Sequence, residues 1–82
     1  MINMREAIAD YNPDAILWDG LDDAIIGITT NGQAVYDTAK IHEVLMRESD
    51  MTLDEAIEFA EYNIFGTHVG EFTPIHVSIL QS

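Results

Sequence analysis

The chain has 82 residues, 48% of them hydrophobic and 9% aromatic, values of a folded domain that exclude a disordered segment in spite of the charge. Fifteen Asp and Glu stand against three Lys and Arg, a formal net charge of -12, which speaks against nucleic acid and anionic membrane as direct partners and favours a protein with a basic surface. The absence of cysteine removes disulfides and thiolate zinc sites and suits a reducing cytosol.

A chain of this length buries only about 60–65% of its unfolded surface, so residues 1–82 are expected to form a single domain. Its first dozen residues hold no apolar run of signal-peptide length, and nowhere is an apolar run long enough to cross a bilayer. A soluble, cytoplasmic protein is the expectation.

In chain order, Asn3 is placed to cap a first helix with Glu6 in its opening turn. Met4, Ala7, Ile8 and Tyr11 fall at helical spacing. Asn12-Pro13 ends that helix. After the connection DAILWDGLDD, the run AIIGITT, Asn31-Gly32 and QAVYD spell a β-hairpin. A two-residue turn would set Thr30 opposite Gln33, Ile28 opposite Val35 and Gly27 opposite Tyr36. The core face would then carry Ile26, Ile28 and Val35, with Tyr36 covering glycine on the other.

Asp37 is a candidate cap for a second helix to about Arg47, with Ile41, Val44 and Leu45 as its buried stripe and Ser49-Asp50 as its end. Thr52-Leu53-Asp54-Glu55 reads as a capping box opening a third helix. Its inward face is Leu53, Ala56, Ile57, Ala60 and Ile64, and Gly66 is expected to provide a left-handed C-terminal cap. Past Thr73-Pro74, Ile75, Val77 and Ile79 alternate with His76 and Ser78 as in a half-buried strand. The order predicts a small two-layer α+β domain: a three-stranded sheet, hairpin plus C-terminal strand, and three helices.

The third helix has a second apolar side. Phe59, Tyr62 and Phe65 lie away from the core stripe, among Asp54, Glu55, Glu58 and Glu61. That flank must be covered by the N-terminal segment, through Met4, Ile8 or Trp18, or by another protein chain. These seven residues are the candidate protein-binding site. The carboxylates of Asp54, Glu58 and Glu61 repeat about 5 to 6 Å apart along the helix, an interval comparable to that of backbone phosphates, although any solvated helix face has it.

The segment EYNIFGTHVGEFTPIHV looks chemical, but its punctuation has architectural uses. Asn63 closes the helix, Gly66 caps it, Gly70 permits a turn and Pro74 introduces the strand. His68 and Glu71 lack a nucleophile motif or an orienting group, so no catalytic residue is assigned. His42, His68 and His76 match no zinc signature, and Asp19, Asp22 and Asp23 lack the EF-hand alternation. No cofactor motif is present. A metal-dependent hydrolase built on His68, Glu71 and Asp19 or Asp23 is the alternative, as is a homo-oligomeric, virion-associated structural protein.

Asp19, Gly20, Asp23 and Gly27, Val35-Tyr36-Asp37, Glu55-Ala56 with Asn63, Gly66, Val69-Gly70-Glu71 and Thr73-Pro74 together resemble a group of small uncharacterised acidic proteins from bacteriophage and bacterial genomes. The resemblance runs from Asp14 to Val77. It implies a viral or virus-related gene whose product acts by binding a host enzyme or defence complex, and it carries over no activity.

Overall fold

A computed structural model describes residues 3–80. Helix α1 (Met4–Tyr11) begins where the Asn3 side chain accepts the backbone N–H groups of Arg5 and Glu6, satisfying donors that have no partner inside the helix. Of the stripe read from the sequence only Ile8 is buried, while Met4 and Tyr11 are exposed. Asn12 ends the helix and its side chain reaches across to the hairpin, donating from Nδ2 to the Gly32 carbonyl at 2.9 Å. A short 3₁₀ turn (Asp22–Ala24) then leads into β1 (Ile25–Ile28), β2 (Ala34–Asp37), α2 (Thr38–Ser49), α3 (Leu53–Ala60), a π-helical turn (Glu61–Phe65) and β3 (Ile75–Val77).

The sheet is three-stranded and mixed, with β2 in the centre, antiparallel to β1 and parallel to β3. The α+β architecture expected from the sequence is present, but the hairpin register is not the expected one. Ile28 faces Ala34 and Gly27 faces Val35, and Thr29 accepts from Gly32 and donates to Gln33 at 2.9 and 2.8 Å. Thr30, Asn31 and Gly32 thus form a three-residue loop, with Gly32 at φ 88°, the turn-plus-left-handed-residue geometry that is the next commonest hairpin after the two-residue turn. One residue of slip exchanges the faces of a strand. Ala34 and Tyr36 are consequently fully buried while Val35 is only half-buried, and an irregularity between Ile25 and Gly27 brings Ile25 opposite Tyr36.

Over this face lie the helices. The Asp37 side chain caps α2 by accepting from the Ala39 N–H, and Ile41, Val44 and Leu45 are its buried residues. The helix ends at Asp50, which takes the left-handed conformation at φ 56°. Both halves of the Thr52–Glu55 capping box are formed at the start of α3. Ala56, Ala60 and Ile64 are buried and Ile57 partly so, but Leu53, expected inside, is 51% exposed. It occupies the first helical position, next to the Thr52 cap. Gly66 is also not the left-handed cap expected, since its φ is -87°. The helix instead widens into the π-helical turn. Asn63 Nδ2 donates to the Phe59 carbonyl and Thr67 Oγ1 to the Asn63 carbonyl, so side chains serve carbonyls at the helix end.

Candidate functional site

Each arginine is held in the connection before β1. Arg5 makes a forked contact with Asp22, Nε to Oδ2 at 3.0 Å and a terminal amine to Oδ1 at 2.7 Å, and also donates to the Trp18 carbonyl. These hydrogen bonds hold the Asp22 carboxyl below its usual range and raise the Arg5 guanidinium. Arg47, on α2, donates to Asp23 at 2.9 Å and to Glu48 at 3.2 Å. Two of the clustered aspartates of the connection, Asp22 and Asp23, thus tie α1 and α2 to it by ion pairs. Among the described residues, no group of three or more His, Asp or Glu converges to hold a metal ion.

The histidines are dispersed. His68 lies exposed on the loop after the π-helical turn, as does Glu71. That loop is organised by a side chain the sequence reading passed over. Buried Thr73 donates from Oγ1 to the Gly70 carbonyl at 2.7 Å and accepts the Val69 N–H at 3.0 Å. Gln33 Nε2 donates to the Thr73 carbonyl, fastening the loop to the hairpin. The architectural use inferred for this segment is therefore visible in its hydrogen bonds. The rings of His42 and Phe65 meet at 67° with their centroids 6.1 Å apart, and His42 Nε2 is buried with no hydrogen-bond partner among the described residues.

His76 occupies the middle of β3 beside Tyr36. Its ring is coplanar with that of Trp18, within 5°, and Phe65 lies 4.9 Å away between centroids. Trp18 Nε1–H donates to His76 Nε2 at 2.9 Å, and the Trp18 backbone N–H donates to the Tyr36 hydroxyl at the same distance. The bond to Trp18 uses the lone pair of Nε2, so the imidazole is neutral with its proton on Nδ1. Burial pushes the His76 pKa below its ordinary 6.5 and the Tyr36 hydroxyl upward.

A pH dependence follows, with its sign set by the lowered histidine. Between the ordinary and the folded-state pKa the unfolded chain binds the extra proton, so the contribution of His76 is complete above about pH 6.5 and is lost as pH falls through the folded value. The urea midpoint is expected to decline below that pH, with a concurrent change in the emission of Trp18, the single tryptophan. His76→Gln, which keeps an acceptor but cannot titrate, should flatten this part of the profile. An unchanged profile in that variant would refute the assignment.

Of the seven residues proposed for protein binding, Phe65 does not belong to the surface. It is half-buried and packs against the core, beside His42 and His76. Asp54, Glu55, Glu58, Phe59, Glu61 and Tyr62 are exposed, Tyr62 by 79% and Phe59 by 39%. Glu55 is partly engaged in the capping box, and accepting the Thr52 N–H holds its carboxyl below the usual range. Asp54, Glu58 and Glu61 take part in none of the ion pairs among the described residues.

Two hollows flank Phe59. One, of about 380 Å³, is lined by Met51, Glu55, Glu58, Phe59, Tyr62 and Asn63. The other, of about 320 Å³, is lined by Trp18, Asp19, Leu21, Leu45, Phe59, Asn63 and Ile64. Trp18 therefore approaches the aromatic flank of α3, as one reading of the sequence expected, but it shares the lining of a cleft with Phe59 and leaves Phe59 and Tyr62 exposed. The connection supplying Trp18 and Asp19 is distant in sequence from α3, which is why periodicity along the helix did not reveal it.

The fold is thus a small α+β domain whose last helix presents an acidic, aromatic face with a cleft on each side of one phenylalanine. No protein-family model, no curated protein and no solved structure matches the chain. No helix among the described residues is long and apolar enough to cross a membrane.

Proposed function

We propose that this is a non-enzymatic, acidic protein-binding module, phage-encoded and cytoplasmic in the host cell, that engages a host enzyme or defence complex through α3. The observation that carries the reading is the exposure of Phe59, which lines both hollows, and of Tyr62, which lines one, beside the carboxylates at their edges. Exposed aromatics at the centre of a polar rim are the usual anchors of a protein interface, and the net charge of -12 would steer a basic partner to them. The viral setting rests on the resemblance alone.

Self-association through the same face is the alternative, and it would oppose Glu55, Glu58 and Glu61 to their own copies. The test uses the tagged protein against a bacterial host lysate. Capture of a specific host protein is expected at about 0.05 M NaCl and should fall by roughly tenfold at about 0.5 M, because exposed carboxylates are screened over about 8–10 Å at physiological salt and less above it. It should be abolished by Phe59→Ser with Tyr62→Ser, in a variant whose circular dichroism is unchanged. Capture that ignores both salt and these substitutions would refute the reading, and a salt-resistant dimer dissociated by the same pair would favour self-association.

A further inference from the structure

The cleft between Trp18 and α3 differs in kind from an ordinary surface depression. Its floor is the hydrophobic core itself: Leu21, Leu45 and Ile64 are each at least nine-tenths buried and yet line it. Trp18 and Phe59 are the aromatic rings that line it. The polar groups it offers are Asp19 and Asn63. On the other side of the Phe59–Asn63 ridge the second hollow repeats the plan, with Met51 and Tyr62 as apolar lining and Glu55 and Glu58 at the edge.

No lysine or arginine lines either hollow. Arg5 and Arg47 are held by Asp22 and Asp23 on the connection and by Glu48; Arg5 is near enough to Asp19 to offset part of its charge, whereas Glu55 and Glu58 take part in none of the ion pairs among the described residues. An apolar floor whose edge carries carboxylates outside the ion pairs, Glu55 and Glu58 above all, is complementary to a segment that carries large apolar side chains interleaved with cations. A second copy of this chain fits poorly, because it brings the same carboxylates and only three Lys and Arg in all. Nucleic acid would supply bases for the aromatics but phosphates for the acids.

We infer that the paired clefts recognise a cationic amphipathic segment of a partner protein, with one large apolar side chain seated between Trp18 and Phe59 and Lys or Arg side chains over Asp19, Glu55 and Glu58. The inference rests on the binding role of α3 and specifies the chemistry of what α3 binds. Trp18 is the reporter, being the single tryptophan and a wall of the cleft.

The test uses three synthetic peptides without tryptophan: an amphipathic helix-forming Leu/Lys peptide, its Leu/Glu counterpart, and a Lys/Ser peptide of equal charge. The Leu/Lys peptide is expected to bind saturably and to shift Trp18 emission, whereas the other two bind at least about tenfold more weakly. Asp19→Asn with Glu58→Gln, both at exposed positions, should weaken the Leu/Lys peptide by about tenfold while leaving the thermal midpoint unchanged. Equal binding of the Lys/Ser peptide would show charge alone and overturn the inference, as would Leu/Lys binding without any change at Trp18. If none of the peptides binds while capture of a host protein still depends on Phe59 and Tyr62, the partner chemistry is wrong and the binding role stands. If that capture also fails, both fall.

Discussion

Tyr36→Ala is expected to lower the free energy of unfolding by about 3–5 kcal/mol, the range for removing a buried aromatic ring. Tyr36 is the largest fully buried side chain among the described residues, it lies in the central strand of the sheet opposite Ile25 on β1 and His76 on β3, and its ring centroid is 6.2 Å from that of His76. A domain of this size has a total stability of roughly 4–12 kcal/mol, so the loss removes at least about a quarter of it. Tyr36→Phe separates the ring from the hydroxyl. It keeps the packing but leaves the Trp18 N–H without the acceptor it has at 2.9 Å, a loss of about 1–3 kcal/mol if no water replaces it. Urea denaturation followed by circular dichroism measures both. A Tyr36→Ala loss of less than about 1 kcal/mol would mean that the sheet is not built around this ring.

Gly32→Val is the second large effect. The residue has φ 88°, and a Cβ built there would lie 2.6 Å from Asn12 Nδ2 and 3.1 Å from Asn12 Cβ and Cγ. Backbone strain in this region costs about 1–3 kcal/mol for a residue with a side chain, and more for a β-branched one. The Asn12 side chain would also have to withdraw, breaking its 2.9 Å bond to the Gly32 carbonyl and releasing the end of α1 from the hairpin. Together these predict a loss of about 2–4 kcal/mol. Gly66→Ala serves as the control, because φ there is -87° and the new Cβ would make only an ordinary 3.5 Å contact with the Glu61 carbonyl. That substitution should stay within about 1 kcal/mol of the parent. Equal losses at the two glycines would contradict the three-residue loop.

The contrast between these glycines shows which features local sequence could reveal. Asn-Gly announced a turn at Gly32, but a two-residue turn and a three-residue loop share that signal. The choice between them moved Val35 outward and brought Ala34 and Tyr36 inside. Gly66 announced a left-handed helix end, yet the chain reached its end through a widened turn served by Asn63 and Thr67, and the left-handed residue appeared at Asp50 instead. At the candidate site the acidic and aromatic flank of α3 was legible as helical spacing, with the exception of Phe65. The clefts beside it were not, because Trp18, Asp19 and Leu45 arrive from other elements.

What the amino-acid sequence determined by itself was where the helices start and which face of α2 is buried. Asn3, Asp37 and the Thr52–Glu55 pair act on backbone groups two or three residues away, and the Ile41, Val44 and Leu45 stripe needs only the helical period. Tertiary structure decided the hairpin register, the parallel placement of β3, the use of Asp22 and Asp23 as partners of Arg5 and Arg47, and the meeting of Trp18 with His76 58 residues further along the chain. Each of these joins residues far apart in sequence. Their energies depend on which surfaces are buried together, and a local pattern leaves that undetermined until the whole chain has closed around its core.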